Sequence, residues 1–394
     1  MDSADVVIVA AARTPQARLN GQLAALTAPQ LGATAIRGAL ARGGVDPHVV
    51  DAVIMGHVLA AGAGQNAARQ AAVGAGIGWD VPAHSIDKVC LSGLTAVIDA
   101  ARMIALGDAE VVVAGGMESM SRAPHLLMGS RTGWTYGSVE VLDHLAHDGL
   151  TDASEGVSMG LSTERRNGPL GIGRAEQDAV AALSHQRAAA AWESGVFDVE
   201  VVPVEVPARR GGPTVVRRDE GIRADTTTES LARLRPAFAE DGTITAGNAS
   251  QISDGASVVV VTTRARARAE GWSVLAGVGA SGQTAGPDAS LQGQPAQAIR
   301  RALEKQGIDA ADLDLVEINE AFGAVVAYAS RELGLDSAIV NVHGGGIAIG
   351  HPLGASGNRL VVHAAHELAR RGGGMAVVAL CGGGGQGEAL VITR

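Results

Sequence analysis

Residues 35–46 (AIRGALARGGVD) and 298–309 (AIRRALEKQGID) agree at seven of twelve positions, at an offset of 263. Each copy is followed by an aspartate-led apolar run, starting at Asp51 and at Asp314, again 263 apart. At nearly the same offset Ser92-Gly93 matches Ser356-Gly357, and both open an alanine-rich helical stretch in which Ala100-Ala101 and Ala364-Ala365 correspond. One helix resemblance arises easily by chance, but three ordered matches at one spacing do not. The chain is therefore read as two copies of one α/β unit.

Apolar β-branched runs at 5–10, 51–55, 110–114, 314–318 and 375–380 alternate with helical patterns, for example Leu94, Val97, Ile98, Ala101, Ile104 and Ala105 closed by Gly107. That alternation predicts an α/β fold with largely parallel strands. Residues 118–250 break the pattern: they are polar, rich in Met, Gly, Ser and Arg, and carry one clear helix from about Arg174 to Ser194. They read as an insertion in the first copy, of the kind that shapes a site or an interface. The expected organisation is a first half at 1–117 completed by 251–268, an inserted loop domain at 118–250, and a second half at 269–394.

Lys and Arg number 31 against 41 Asp and Glu, a net charge of −10, which gives nucleic acid no electrostatic footing. The opening residues lack the basic start and apolar run of a signal peptide. No apolar stretch is expected to reach the length of a membrane helix. The expectation is a soluble, cytoplasmic protein. With only Cys90 and Cys381 present, a disulfide framework is excluded apart from one bridge.

Four clusters carry chemistry-bearing residues. Lys88-Val89-Cys90-Leu91-Ser92-Gly93 opens a helix, where unpaired N–H groups and the helix dipole favour a thiolate. Asn319-Glu320-Ala321-Phe322 follows a strand, at the end where open parallel sheets bind ligands. In Gly350-His351-Pro352-Leu353-Gly354-Ala355-Ser356-Gly357, Pro352 keeps His351 out of helical geometry, on a turn before a helix. Cys381 is followed by GGGGQG at another strand end. Cys90 and His351 hold related places in the two copies, so a pseudo-two-fold arrangement would face them across one pocket. His363 and His366 have helical spacing without further ligand candidates and are read as surface residues; no metal site is expected.

Over its full length the sequence resembles the thiolase family, through KVCLSGL, GGMESMS (115–121), TAGNASQISDGAS (245–257), NEAF, NVHGGGIAIGHPLGASG (341–357) and CGGGGQG (381–387). Within the family it is most similar to bacterial acetyl-CoA acetyltransferases. The resemblance implies duplicated α/β domains in a layered αβαβα sandwich. It implies Cys90 as acyl-carrying nucleophile, His351 as its base and as a holder of the enolate oxygen, Asn319 as the residue fixing a water there, and Cys381 as acid/base. The N–H groups of Cys90 and Gly383 match a second oxyanion hole. Coenzyme A and acyl-CoA are implied as substrates with no prosthetic group, bound by Arg223 and Ser250, with Met159, Ala246, Ala321 and Phe322 along the pantetheine tunnel. A homotetramer is implied, with residues 129–136 in its tetramerisation loop.

Four positions depart from the family pattern: Asp87, Ser158, His343 and Gln292 stand where Asn, His, Asn and Met are common. Asp87 is expected to raise the Cys90 thiol unless paired with Lys88 or another cation, and Gln292 to bear on acyl length. Acetyl-CoA C-acetyltransferase activity is favoured over a broader 3-ketoacyl-CoA thiolase. The β-ketoacyl synthases share the duplicated fold but need no second cysteine, and a non-catalytic lipid-binding relative would lack one of the four catalytic residues.

Overall fold

The computed structural model describes residues 5–208 and 212–394. Its first half runs β1 (Val6–Arg13), α1 (Ala28–Gly43), β2 (Ala52–Gly56), α2 (Ala67–Gly74), β3 (Ala83–Ile86), α3 (Ser92–Leu106) and β4 (Val111–Ser119). The inserted stretch follows, with α4 (Met159–Asn167) and α5 (Arg174–Glu193), before β5 (Ser253–Thr263) completes the half-sheet. The second half runs β6 (Ala276–Ala285), α6 (Gln294–Gln306), β7 (Leu315–Ile318), α7 (Gly323–Leu333), α8 (Leu353–Arg371), β8 (Met375–Gly382) and β9 (Gln386–Thr393).

The order across the sheet is β7-β8-β9-β6-β1-β5-β4-β2-β3. Outward from the centre each half repeats one pattern. In the first, β1/β5 and β5/β4 are antiparallel, then β4/β2 and β2/β3 are parallel. In the second, β6/β9 and β9/β8 are antiparallel, β8/β7 is parallel, and a parallel bridge from Val316 to Val340 takes the outer place. A two-residue antiparallel contact, Val7 to Gly277 and Ile8 to Ala276, joins the halves. The duplication read from the offset of 263 is thus a duplication of topology. The expected largely parallel sheet is corrected to a mixed one: β5 and β9 each enter antiparallel between two neighbours.

Three apolar layers follow. One cluster packs α1 and α2 on the outer face of the first half-sheet, and another packs α6 and α7 on the second. Between the half-sheets lie α3 and α8, the pseudo-symmetric pair, whose residues Leu94, Val97, Leu360 and Val361 share a cluster with Ile54, Val112, Val378 and Ile392. This is the αβαβα sandwich. The run Val89–Leu106 is long and apolar enough to cross a membrane, contrary to expectation, but it is this middle-layer helix and more than half buried.

The two middle helices touch at their first turns through equivalent glycines. A Cβ on Gly93 would meet the Gly354 carbonyl oxygen at 2.6 Å, and one on Gly357 would meet the Leu94 nitrogen at 2.6 Å. Only glycine allows the backbones so close, and the crossing brings the turns before both helices together. In the second half β8 reaches β9 through Gly383, Gly384 and Gly385, the last two at φ 75° and 64°, whereas the equivalent β4-to-β5 link carries the whole insertion.

Buried Arg13 anchors that insertion, its Nε on Glu200 at 2.7 Å and its Nη1 on Asp219 at 2.7 Å. Glu200 also accepts from His363 Nδ1 at 2.9 Å, and His363 Nε2 meets His343 Nδ1 at 3.1 Å. His363 is therefore a buried member of an ionic network, and His366, against the Ala11 carbonyl oxygen, is part-buried. Neither is the surface residue expected, because α8 is covered on both faces.

Candidate active site

The polar turn 87–92 is built to project Cys90. Asp87 Oδ1 accepts the Val89 N–H at 3.0 Å, Ser92 Oγ accepts the Lys88 N–H at 2.8 Å, and Ser92 Oγ donates to the Val89 carbonyl at 2.6 Å. These bonds hold Val89 at φ 51°, a conformation costly for a β-branched residue, directly before the cysteine. Lys88 pairs with buried Glu388 of β9 at 3.0 Å, so it does not neutralise Asp87.

Cys90, His351, Cys381 and Gly383 line one inner chamber of about 60 Å³, together with Val89, Gly149, Leu150, Met159, Ser250, Leu291, Ala321, Phe322, Leu353 and Gly382. Leu150, Met159, Ser250, Phe322, His351 and Leu353 also line a wider, mostly apolar chamber of about 530 Å³ beside it, where Ser158, Ala246 and Phe238 stand. The inner chamber draws on both halves and on the insertion.

His351 is oriented by two bonds. Its Nδ1 lies 2.5 Å from Ser356 Oγ, and that hydroxyl donates to the Pro352 carbonyl at 2.9 Å. With its proton committed, Ser356 Oγ accepts from Nδ1–H, which leaves Nε2 with the lone pair. Asn319 Nδ2 lies 3.3 Å from Nε2, and Asn319 Oδ1 is buried without a protein partner. Burial, reinforced by the Arg359 charge, pulls the imidazole down to about 4. At neutral pH the His351 imidazole is neutral.

Burial pushes the Cys90 thiol up to about 12, against the N–H groups of Gly383 and of Cys90 itself, which are aimed at the sulfur; Glu118 and Asp87 push it further up. The thiolate expected from the helix N-terminus is thus corrected: desolvation outweighs the donors. Cys90 keeps some exposure to the chamber although protein atoms surround it. Cys381 is buried and its thiol is raised as well, by desolvation and by the neighbouring Cys90. The resting site is neutral, and the two donors aimed at Cys90 are free to receive negative charge that develops on a carbonyl oxygen attached there.

Of the residues expected to contact coenzyme A, Met159, Ser250 and Phe322 line both chambers, Ala321 the inner and Ala246 the outer. Arg223 lines neither; it is exposed, with Nη2 3.0 Å from His185 Nε2. Ser158 caps α4, accepting the Leu161 N–H at 3.2 Å. Gln292 is turned away from the chamber: its Nε2 donates to the Thr163 carbonyl and to Asn167 Oδ1, both at 2.9 Å. Its neighbour Leu291 lines the inner chamber instead. Sequence reasoning also passed over Ser356 as the partner of His351, although it stands in a motif already singled out.

Residues 6–265 match the family model described as thiolase, N-terminal domain, and residues 272–394 match thiolase, C-terminal domain. The chain is 58% identical to a probable acetyl-CoA acetyltransferase of Mycobacterium tuberculosis, over 98% of each protein. It superposes on a Bacillus anthracis acetyl-CoA acetyltransferase crystal structure with TM-score 0.96 at 42% identity, covering 99% of both chains. Human mitochondrial 3-ketoacyl-CoA thiolase gives TM-score 0.94 at 39% identity, again over 99% of both.

Proposed function

The chain belongs to the thiolase family, and from that premise we propose that it is an acetyl-CoA C-acetyltransferase, interconverting two acetyl-CoA with acetoacetyl-CoA and coenzyme A. The observation that carries the reading is the convergence of two cysteines, an Nδ1-protonated histidine and the Gly383 N–H on one narrow chamber.

In the first half-reaction the Cys90 sulfur attacks the thioester carbonyl while its proton passes to His351 Nε2. This transfer at the moment of attack is what a raised thiol and a neutral imidazole require. The tetrahedral oxyanion accepts from the N–H groups of Cys90 and Gly383, and its collapse expels coenzyme A, which takes the proton back from His351. In the second, Cys381 passes its own proton to the neutral imidazole of His351 and, as thiolate, removes a proton from the methyl of an incoming acetyl-CoA. His351 and a water ordered by Asn319 hold the enolate oxygen. The new carbanion attacks the Cys90 thioester, and the collapsing adduct releases Cys90, which takes the proton from His351 and restores the neutral resting site. Charge that develops in a narrow, largely apolar chamber is where fixed donors act most strongly.

Coenzyme A is proposed to lie in the wider chamber, its pantetheine arm passing Met159, Ala246, Ser250, Ala321 and Phe322, with Arg223 outside at the nucleotide end. The reading adds no prosthetic group. It extends to a cytoplasmic homotetramer, for which the exposed Leu127, Met128, Trp134, Tyr136 and Val141 supply apolar surface.

The test is coenzyme A-dependent thiolysis of acetoacetyl-CoA beside a medium-chain 3-ketoacyl-CoA. Higher kcat/KM on acetoacetyl-CoA is expected. Preference for the longer substrate would move the chain to the broader thiolases, and inactivity on both would overturn the enzymatic reading.

A further inference from the structure

The GGMES run places a buried glutamate, Glu118, beneath the site. Glu118, in the last turnward residues of β4, is fully buried and touches neither chamber wall. Its Oε2 accepts the N–H groups of Val58 at 3.1 Å and Gly354 at 2.9 Å, and its Oε1 accepts that of Leu59 at 3.1 Å. Val58 and Leu59 belong to the loop after β2 in the first half. Gly354 belongs to the first turn of α8 in the second half, three residues past His351. One carboxylate therefore binds backbone from both halves at the point where they meet.

The loops it binds reach the reacting groups directly. Val58, Leu59 and Leu353 form, with Met120 and Leu145, the small apolar cluster against which Cys90 packs. The contact is built for an acceptor with no proton: three N–H groups converge on two oxygens, and an amide there would turn its own N–H₂ on one of them. Burial pushes the carboxyl up to about 7 while the three donors pull it down. His57 Nε2 stands 3.5 Å from Oε1, and burial holds that ring down at about 4, hence neutral. Glu118 is also the first of two charges that push the Cys90 thiol upward, ahead of exposed Asp87.

We propose, resting on the assignment of Cys90 and His351 above, that Glu118 is a positioning residue for the reaction: it clips the His351 turn of one half to the loop that packs Cys90 in the other. The remaining charged or titratable groups about Cys90 are Asp87 on its own turn, His351 from the turn before α8 and Cys381 from β8; Lys88 is engaged with Glu388.

The test is Glu118→Gln, checked for folding by its melting curve, with thiolysis kinetics and the pH profile of Cys90 alkylation by iodoacetamide. A displacement of the turn by about 1 Å predicts a kcat loss of about 10²-fold, with KM for coenzyme A within about twofold, because the clip lies away from the wider chamber. The alkylation profile is expected to move to lower pH, since a negative charge is removed. Glu118→Asp keeps the charge but shortens the reach, so it should lose kcat while alkylating along the parent's profile; it carries the test if Glu118→Gln does not fold. Parental kcat in either folded variant, or lost kcat in Glu118→Gln with an unmoved alkylation profile, would overturn the proposal. Absence of thiolysis in the parent would instead contradict the acyltransferase reading, and the alkylation shift would still decide for or against Glu118.

Discussion

Ser356 Oγ lies 2.5 Å from His351 Nδ1 and gives its own proton to the Pro352 carbonyl. The serine sits in the first turns of α8 and the histidine on the turn before it, so the helix that builds the middle layer also fixes the tautomer of the base. The same Ser-Gly pair recurs at Ser92-Gly93, where the serine locks the nucleophile turn through Lys88 and Val89. One repeated dipeptide thus orients the cysteine in one half and the histidine in the other.

Ser356→Ala should lower kcat by about tenfold, the scale of one buried hydrogen bond, and leave KM nearly unchanged. Steady-state thiolysis checks this. A Ser356→Thr variant that retains the hydroxyl should keep more activity than the alanine; equal losses would separate the effect from the hydrogen bond.

Leu291 forms the wall of the inner chamber and Gln292 faces away from it. Leu291→Ala should raise kcat/KM for 3-ketoacyl-CoA substrates longer than acetoacetyl-CoA relative to acetoacetyl-CoA. Gln292→Met should leave that ratio within about twofold and lower stability by about 1–3 kcal/mol, because it strands the Thr163 carbonyl and Asn167. Substrate profiles and thermal melts of the two variants distinguish these assignments.

Stability should fall as the solution is acidified below about pH 4.5. His57, His185, His343 and His351 are each held at about 4, chiefly by burial. A depressed histidine makes the unfolded chain bind more protons between about pH 4 and 6.5, so stability is lost as pH falls through that window. Glu118 and Glu317, both raised by burial to about 7, act in the opposite sense between about pH 4.5 and 7. His366 is lowered too, while Glu320, Asp254 and His363 are raised and act with the two glutamates, so the two senses oppose each other above about pH 4.5. Below it the balance turns: against burial, Arg13 and His363 hold Glu200 low and Arg370 and Arg371 hold Glu367 low, and protonation of these carboxylates loses those pairs. Chemical denaturation from about pH 7 to about 3.5 checks it, and a midpoint that stays flat or rises below about pH 4.5 would contradict it.

The duplication, the insertion's helix and the residues that meet in the inner chamber were legible because each rests on local signals: a repeated helix, apolar runs, and glycine-rich motifs at strand ends. Strand direction was not legible. β5 and β9 are apolar runs like any other, and only their place between neighbours makes them antiparallel. His363 was misread for a related reason: α8 is buried on both faces, so a polar residue on it marks a buried partner, here Glu200 from the insertion. Leu291 lines the inner chamber while Gln292 turns to Thr163 and Asn167, because adjacent side chains in that loop face opposite ways, and a motif position alone does not show which of the two faces the site. The protonation of Cys90 depends on desolvation, which a sequence motif does not express.

The proposed reaction divides its two steps between the two cysteines, and the intact mass of each alanine variant after incubation with acetyl-CoA separates their roles. Cys381→Ala should gain the mass of one acetyl group, mapped by peptide analysis to Cys90, while failing to condense or cleave. Cys90→Ala should gain nothing. An unlabelled Cys381→Ala, or an acetyl group on Cys90→Ala at Cys381, would contradict the assignment.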